Sequence, residues 1–430
     1  MRVGPAEPGA RLSAVDRGHT DPVTETLTLR AAQLDADDVL AGYRDRFLIG
    51  PTDDVVSYLD GNSLGRPLAA SAERITRFVH EQWAGRLIRG WDEDWLDLPL
   101  RVGDRVGASC LGAATGQTTV ADSTTVLLYK LARGGLELRP GRSEIVVDTD
   151  NFPTDRYVME GIAAELGLSL RWVESDPRSG VEAADLAPAL SERTALVVLS
   201  HVAYRSGHLA PAAELTRLTQ EAGALALWDL SHSVGSVPVQ LDTWGVDLAV
   251  GCTYKYLNGG PGSPAFGYVA ARHLDAFRQP VQGWLGRADA FEMGPGYEPA
   301  AGIRRVISGT PPVLGMLAMQ DMLDLIDEVG MAAVRTKSMG LTAFAAEVAE
   351  AWLAPLGVRT ASPADAERRG GHLTLEHPDF RALTPELWDQ GVIPDFRAPQ
   401  GLRLGLSPLS TSYAEVLTGL AAVRDGLSES

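Results

Sequence analysis

The chain has 430 residues, 45% of them apolar and 22% charged, with a formal net charge of −18 and only two cysteines. That acidity argues against a nucleic-acid partner, since a basic face would need heavy acidic compensation elsewhere. Two cysteines without a C-x-x-C argue against a disulfide framework, zinc or thiol-redox chemistry. No uncharged apolar run approaches the roughly 20 residues of a membrane span, and the first 30 residues lack the apolar stretch of a signal peptide. The expected setting is the cytoplasm, with residues 1–30 a mobile extension.

In chain order, "DADDVLAGYRDRFLIG" reads as a short helix with Asp35 as N-cap and Leu40, Tyr43 and Phe47 on one face. "VVSYLDGNSLG" reads as a strand running into a turn, and "LAASAERITRFVHEQWA" as a helix. From about Ser143 to Val269 the texture alternates. The short valine- and leucine-rich runs "EIVVDT", "LSLRWV", "TALVVLSHV", "ALALWD", "VDLAVGCT" and "AFGYVAA" are separated by helical segments such as "PTDRYVMEGIAAELG". Buried parallel strands read this way, so this is an α/β domain with a mainly parallel sheet. Beyond Leu323 come a long helix, "GGHLTLEH", a helix after Thr384-Pro385, "GLRLGLSP", and a last helix announced by Ser412 and Glu415 in capping-box spacing. The expected division is a segment 31–60 packing with the small domain, a large domain 61–323, and a smaller α+β domain 324–430.

Ligands of such sheets bind beyond the carboxyl ends of the strands. The polar residues there are Ser123 and Thr124, Phe152 and Asp155, His201 and Arg205, Asp229 and His232, and Tyr254 and Lys255. No P-loop, G-x-G-x-x-G after the first strand or H-E-x-x-H is present, and "LSHSVG" lacks the G-x-S-x-G spacing of a nucleophile elbow. Lys255 stands out, because the chain has only two other lysines, Lys130 and Lys337. A Schiff-base lysine fits the company it keeps: a carboxylate for a pyridine nitrogen, hydroxyls for a phosphate and an aromatic for a ring face. Taken singly, Asp229 serves equally as a strand-end cap, His232 as a structural histidine and Phe152 as core.

The segments "YLDGNSLG", "TDNFPTDRYVMEG", "LSHVAYRSG", "DLSHSVGSVPVQL" and "GCTYKYLNGGPGSPAFGYV" together resemble the kynureninase family. The likeness runs through "GWLGR", "SGTPPV", "RRGGHLTLEHPDF" and "GVIPDFRAPQGLRLGLSPL", and covers the chain from about Leu34 onward. It implies the fold-type-I aspartate-aminotransferase fold, pyridoxal 5'-phosphate as cofactor, and a homodimer with shared sites. It implies that Lys255 holds the cofactor and shuttles the Cα proton, Asp229 pairs with the pyridine nitrogen, and His232 supports the phenolic oxygen or Asp229. Phe152 would stack on the ring with Asp155 at its edge. Ser123, Thr124 and Tyr254 would bind the phosphate from one subunit, and Trp284 and Thr310 from the other. Arg403 would take the substrate carboxylate, with Trp91, Asn62 and Ser63 also at the substrate, and Tyr254 would assist hydration and cleavage. The implied reaction is hydrolysis of the Cβ–Cγ bond of a kynurenine to an anthranilate and alanine. A transaminase on the same fold is the alternative. One departure is Ser410, where the family usually has tyrosine.

Overall fold

The computed structural model describes residues 21–50 and 54–429. After a two-residue strand β1 (Ser57–Tyr58), strands β2 (Thr118–Ala121), β3 (Glu144–Asp148), β4 (Ser169–Val173), β5 (Thr194–Ser200), β6 (Leu225–Asp229), β7 (Leu248–Gly251) and β8 (Ala265–Val269) form one sheet. Its order is β2-β8-β7-β6-β5-β3-β4. Only β8 runs against its neighbours β7 and β2, so six carboxyl ends and the start of β8 share one rim. Along each strand, alternate residues face opposite layers. Ile145, Leu196, Leu227 and Leu248 pack on Leu127, Leu128 and Leu131 of helix Thr124–Glu137. Val146, Val197, Ala226 and Trp228 pack on the other side with Leu215, Met319 and Met322. Both faces are buried, which is why these strands read as continuous apolar runs.

A second core lies toward the C-terminus. The strands β9 (Arg359–Thr360), β10 (His372–Glu376), β12 (Asp395–Arg397) and β13 (Gly401–Gly405) form an antiparallel sheet in the order β12-β13-β10-β9. Helices Met331–Val348, Phe380–Asp389 and Tyr413–Glu429 cover it through Phe344, Phe380 and Leu420. β1 joins this part by pairing in parallel with β11 (Val392–Ile393).

Several expectations need correction. Residues 1–20 of the expected extension lie outside the described residues, but Pro22–Ala36 is a helix whose Leu27 and Ala31 enter the second core. Its apolar stripe is narrow and broken by threonines, so the sequence shows little periodicity. Asp35 is no N-cap of a following helix. It sits in the last turn of this one, and only a 3-10 segment, Ala41–Arg46, follows. The boundary expected at 323 falls inside helix Leu317–Val329, whose buried face packs with the large sheet's core; the chain turns at Gly330. Pro385 lies within helix Phe380–Asp389 instead of preceding it. Among the described residues no helix is long and apolar enough to cross a membrane.

Candidate active site

The strand-end rim converges on Lys255. Its Nζ lies 2.9 Å from Nε2 of His232 and 5.9 Å from the centroid of the Phe152 ring. These groups line a cavity of about 110 Å³ together with Asp155, Tyr204, Asp229 and Tyr254. It adjoins a larger cavity of about 420 Å³, lined by Ser123, Thr124, Thr125, Tyr254, Ser263 and Thr310. Thr124, Thr125 and Tyr254 belong to both. The larger cavity lies over the first turn of helix Thr124–Glu137, capped by Ser123 Oγ accepting from Val126 N at 3.4 Å. Such a helix start presents free N–H groups to an anion.

Burial sets the protonation states. His232 is held well below the usual imidazole range by desolvation and then by the charge of Lys255, so it is a neutral acceptor toward the lysine. Its Nδ1 is buried without a partner. Asp155, in the first turn of helix Pro153–Leu166, is pushed well above the carboxylate range by burial, then by the charge of Asp229 and a hydrogen bond with it. Asp155 Oδ2 is buried without a hydrogen-bond partner. Asp155 is therefore held toward its neutral form beside Asp229. Behind it, burial and then the charge of Asp150 push Asp148 up to about 7.

The lysine loop is held from below by the "DGNSLG" turn. Gly65 N donates to Tyr254 O at 2.8 Å. A Cβ on Gly65 would stand 2.4 Å from Lys255 O, so only glycine lets the two segments close. The same turn holds Arg403, whose side chain is 2% exposed. Its Nη1 donates to Tyr204 O at 2.8 Å and its Nη2 to Ser63 Oγ at 2.9 Å. With the Asn62 amide turned so that both ends are satisfied, its oxygen accepts from Arg403 Nε at 2.9 Å. Asp395 lies 2.6 Å from the guanidinium. Asp60 is pushed up to about 6 by burial and then by the charge of Asp395.

The structure thus brings together Lys255, His232, Asp229, Asp155, Phe152 and Tyr254, with Ser123, Thr124 and Thr310 at the adjoining cavity and Arg403, Asn62 and Ser63 as a second cluster. Thr310, expected to reach across from a partner, lines the cavity of its own chain. Trp284 lines neither cavity and packs edge-on against Phe291 at 5.8 Å. Trp91 stands away from the lysine, in an apolar surface groove that shares Thr310 with the larger cavity, edge-on to Trp95 at 5.3 Å. His201 turns into the core against Trp244 and bonds Ser233, while Arg205 pairs with Asp150 at 3.2 Å. Sequence reasoning missed Tyr204, whose ring meets Phe152 edge-on at 5.3 Å and whose carbonyl accepts from Arg403; it lay within "LSHVAYRSG". It also missed Ser200, which ends β5 on the rim.

The residues fit pyridoxal phosphate: two neighbouring carboxyl groups, one with an unpartnered buried oxygen, an aromatic face, an unprotonated imidazole beside an amine, and hydroxyls over a helix start. Among the described residues no group of histidine, cysteine and carboxylate side chains could hold a metal ion.

Comparison with known proteins gives concordant results. The chain is 42% identical to a kynureninase of Pseudomonas fluorescens over 391 residues, 89% of this chain and 91% of that one. The chain belongs to the kynureninase family. A Burkholderia pseudomallei kynureninase is 40% identical over 402 residues, 92% of this chain and 94% of that one. The family model for the kynureninase C-terminal domain matches residues 334–423. Among solved structures, an apo cysteine desulfurase from Thermococcus onnurineus NA1 superposes with TM-score 0.76 at 18% identity, covering 90% of this chain and 98% of that one. An alanine–glyoxylate aminotransferase from Nostoc sp. gives 0.67 at 20%, covering 89% and 98%. These distant likenesses show the fold, which in this kynureninase family member is the one the motifs implied. Ser410, at the departure from the family pattern, leaves its hydroxyl unpartnered.

Proposed function

We propose that this chain is a pyridoxal-phosphate-dependent kynureninase, a cytoplasmic homodimer that hydrolyses the Cβ–Cγ bond of L-kynurenine, 3-hydroxy-L-kynurenine or a ring-substituted relative to an anthranilate and L-alanine. The observation that carries the reading is the cavity around Lys255, in a chain at least 40% identical to kynureninases over about nine-tenths of its length. The relatives named above do not favour the transaminase alternative. A cysteine desulfurase reading lacks a nucleophile, since burial pushes the Cys110 thiol up to about 12 and raises that of Cys252.

Bound in this cavity, pyridoxal phosphate supplies a covalent link to the substrate amine and an electron sink for bonds broken beside it. The protein does the rest. Lys255 would carry the cofactor, and its free amine would move the proton at Cα. His232, neutral and 2.9 Å away, accepts from that amine and steers it. Asp229, with Asp155 beside it, would hold the pyridine nitrogen protonated. Phe152 covers the ring face. Ser123, Thr124 and the helix start bind the phosphate, with Tyr254, Thr310 and Trp284. Arg403, held by Asn62, Ser63 and Asp395, would draw the substrate carboxylate by its charge. Tyr254 would deliver or take a proton at the γ-oxygen as water adds to the γ-carbon and the Cβ–Cγ bond breaks. Trp91 borders the substrate's aromatic ring.

The test is to supply cofactor and either L-kynurenine or 3-hydroxy-L-kynurenine, and to follow anthranilate by fluorescence and alanine by mass. Turnover of one or both is expected, and the ratio reports the ring preferred. No turnover with cofactor still bound at Lys255 would overturn the reading for both substrates.

A further inference from the structure

Lys130 takes no part in the chemistry above, yet its side chain has no solvent exposure at all. It rises from the second turn of helix Thr124–Glu137, whose first residues line the larger cavity. Its Nζ lies 2.6 Å from Asp122 Oδ2 and donates to Val306 O at 3.0 Å. These partners belong to opposite walls. Asp122 immediately precedes Ser123 and Thr124, and Val306 leads through Ile307, Ser308 and Gly309 to Thr310. One ammonium therefore joins the two loops that supply the hydroxyls.

Asp122 has two further peculiarities. Its φ is +50°, a left-handed conformation uncommon outside glycine. Its side chain is 30% exposed and lines the cavity, where an uncompensated carboxylate would repel a phosphate. Lys130 draws that carboxylate inward and offsets its charge from beneath. Desolvation lowers the lysine's proton affinity and Asp122 raises it again.

We propose that Lys130 is a positioning residue for the phosphate end of the cofactor site: it fixes the Asp122–Thr124 wall to the Val306–Thr310 wall and neutralises Asp122 facing the phosphate. This rests on the cofactor reading above. The experiment compares pyridoxal phosphate with pyridoxal, which lacks the phosphate, by absorbance and fluorescence titration of Lys130→Met. Pyridoxal phosphate should bind at least tenfold more weakly, and pyridoxal within about twofold of wild type. The double variant Lys130→Met/Asp122→Asn should recover much of the loss, because the repelling carboxylate is gone. A lower melting temperature with an unchanged ratio of the two affinities would mean that Lys130 only fills the core, and would overturn the proposal. If Lys130→Met gives no soluble protein, Asp122→Asn alone decides. The ratio should rise in favour of pyridoxal phosphate; an unchanged or lower ratio overturns the proposal. Wild type that binds neither compound would instead refute the cofactor reading.

Discussion

All three lysines of this chain are buried: Lys130 and Lys337 with carboxylate partners at 2.6 and 2.5 Å, and Lys255 against a neutral histidine. On the surface arginine has replaced lysine throughout, where the two are nearly equivalent. Inside, a compact ammonium fits where a planar fork does not, and only lysine gives an exchangeable covalent link. Tyr254, beside Lys255, touches both cavities, and burial raises its phenol above the usual range, so it stays protonated as a donor at neutral pH. Tyr254→Phe should slow turnover by roughly 10²–10⁴ with cofactor affinity within a few-fold, measured by single-turnover absorbance and by titration. Equal turnover would remove Tyr254 from the chemistry. His201 gives a stability prediction. Burial pushes it down to about 3, while the unfolded chain has a histidine near 6.5. Between those values the unfolded chain binds a proton that the fold refuses, so stability is lost as pH falls below about 6.5. From pH 7 to pH 5 this single group costs on the order of 2 kcal/mol. Urea unfolding of His201→Gln should therefore show a drop over that range smaller by about that amount. An identical drop would mean that His201 is not held neutral.

At the scale of elements, the two ends of the described chain stabilise each other. Asp35, in the last turn of helix Pro22–Ala36, accepts from Tyr413 N at 3.0 Å and Ala414 N at 2.9 Å, at the start of the final helix. Ser412 Oγ accepts from Glu415 N at 2.9 Å. Asp35 thus caps a helix 378 residues away. Asp35→Ala should cost about 1 kcal/mol, seen as a lower urea midpoint with unchanged cofactor affinity; no change would assign the cap to Ser412 alone. The capping pair Ser412–Glu415 was legible because its signal is local. So were the strands of the large sheet, since burial on both faces leaves a compact valine and leucine run, and their ends led directly to Asp229 and Lys255. The role of Asp35 was not legible, because its partner is brought to it only by the fold. Arg403 shows the same limit: its motif is visible, but its contacts with Asn62 and Ser63 lie about 340 residues away. His201 shows another, since a residue at a strand end can point into the core as readily as into the site. The extents of the smaller strands were hidden too, because two exposed residues such as Arg359 and Thr360 carry no periodicity.

At the scale of the molecule, the site is open on one side. Trp83, Leu87, Ile88 and Leu314 are 52%, 59%, 77% and 45% exposed. They surround an apolar groove of about 520 Å³ that ends at Thr310, on the rim of the larger cavity. Leu87 holds a φ of +54°, so a bulky residue is kept exposed at conformational expense. Apolar patches of this kind mark protein contacts, and a two-fold pairing would place a second copy's groove residues against this cavity. Light scattering should give twice the chain mass for wild type and the single-chain mass for Leu87→Asp/Ile88→Asp. A stronger test asks whether two subunits build the site together. Lys255→Arg should be inactive because the covalent link is lost, and a Trp284→Ala subunit should fail its neighbour. In a mixed dimer of the two, both lesions fall in one site and the other is whole. Unfolding and refolding an equal mixture should therefore restore about a quarter of wild-type sites from two inactive parents. No recovery, with mixed dimers confirmed by mass, would mean that each chain builds its site alone.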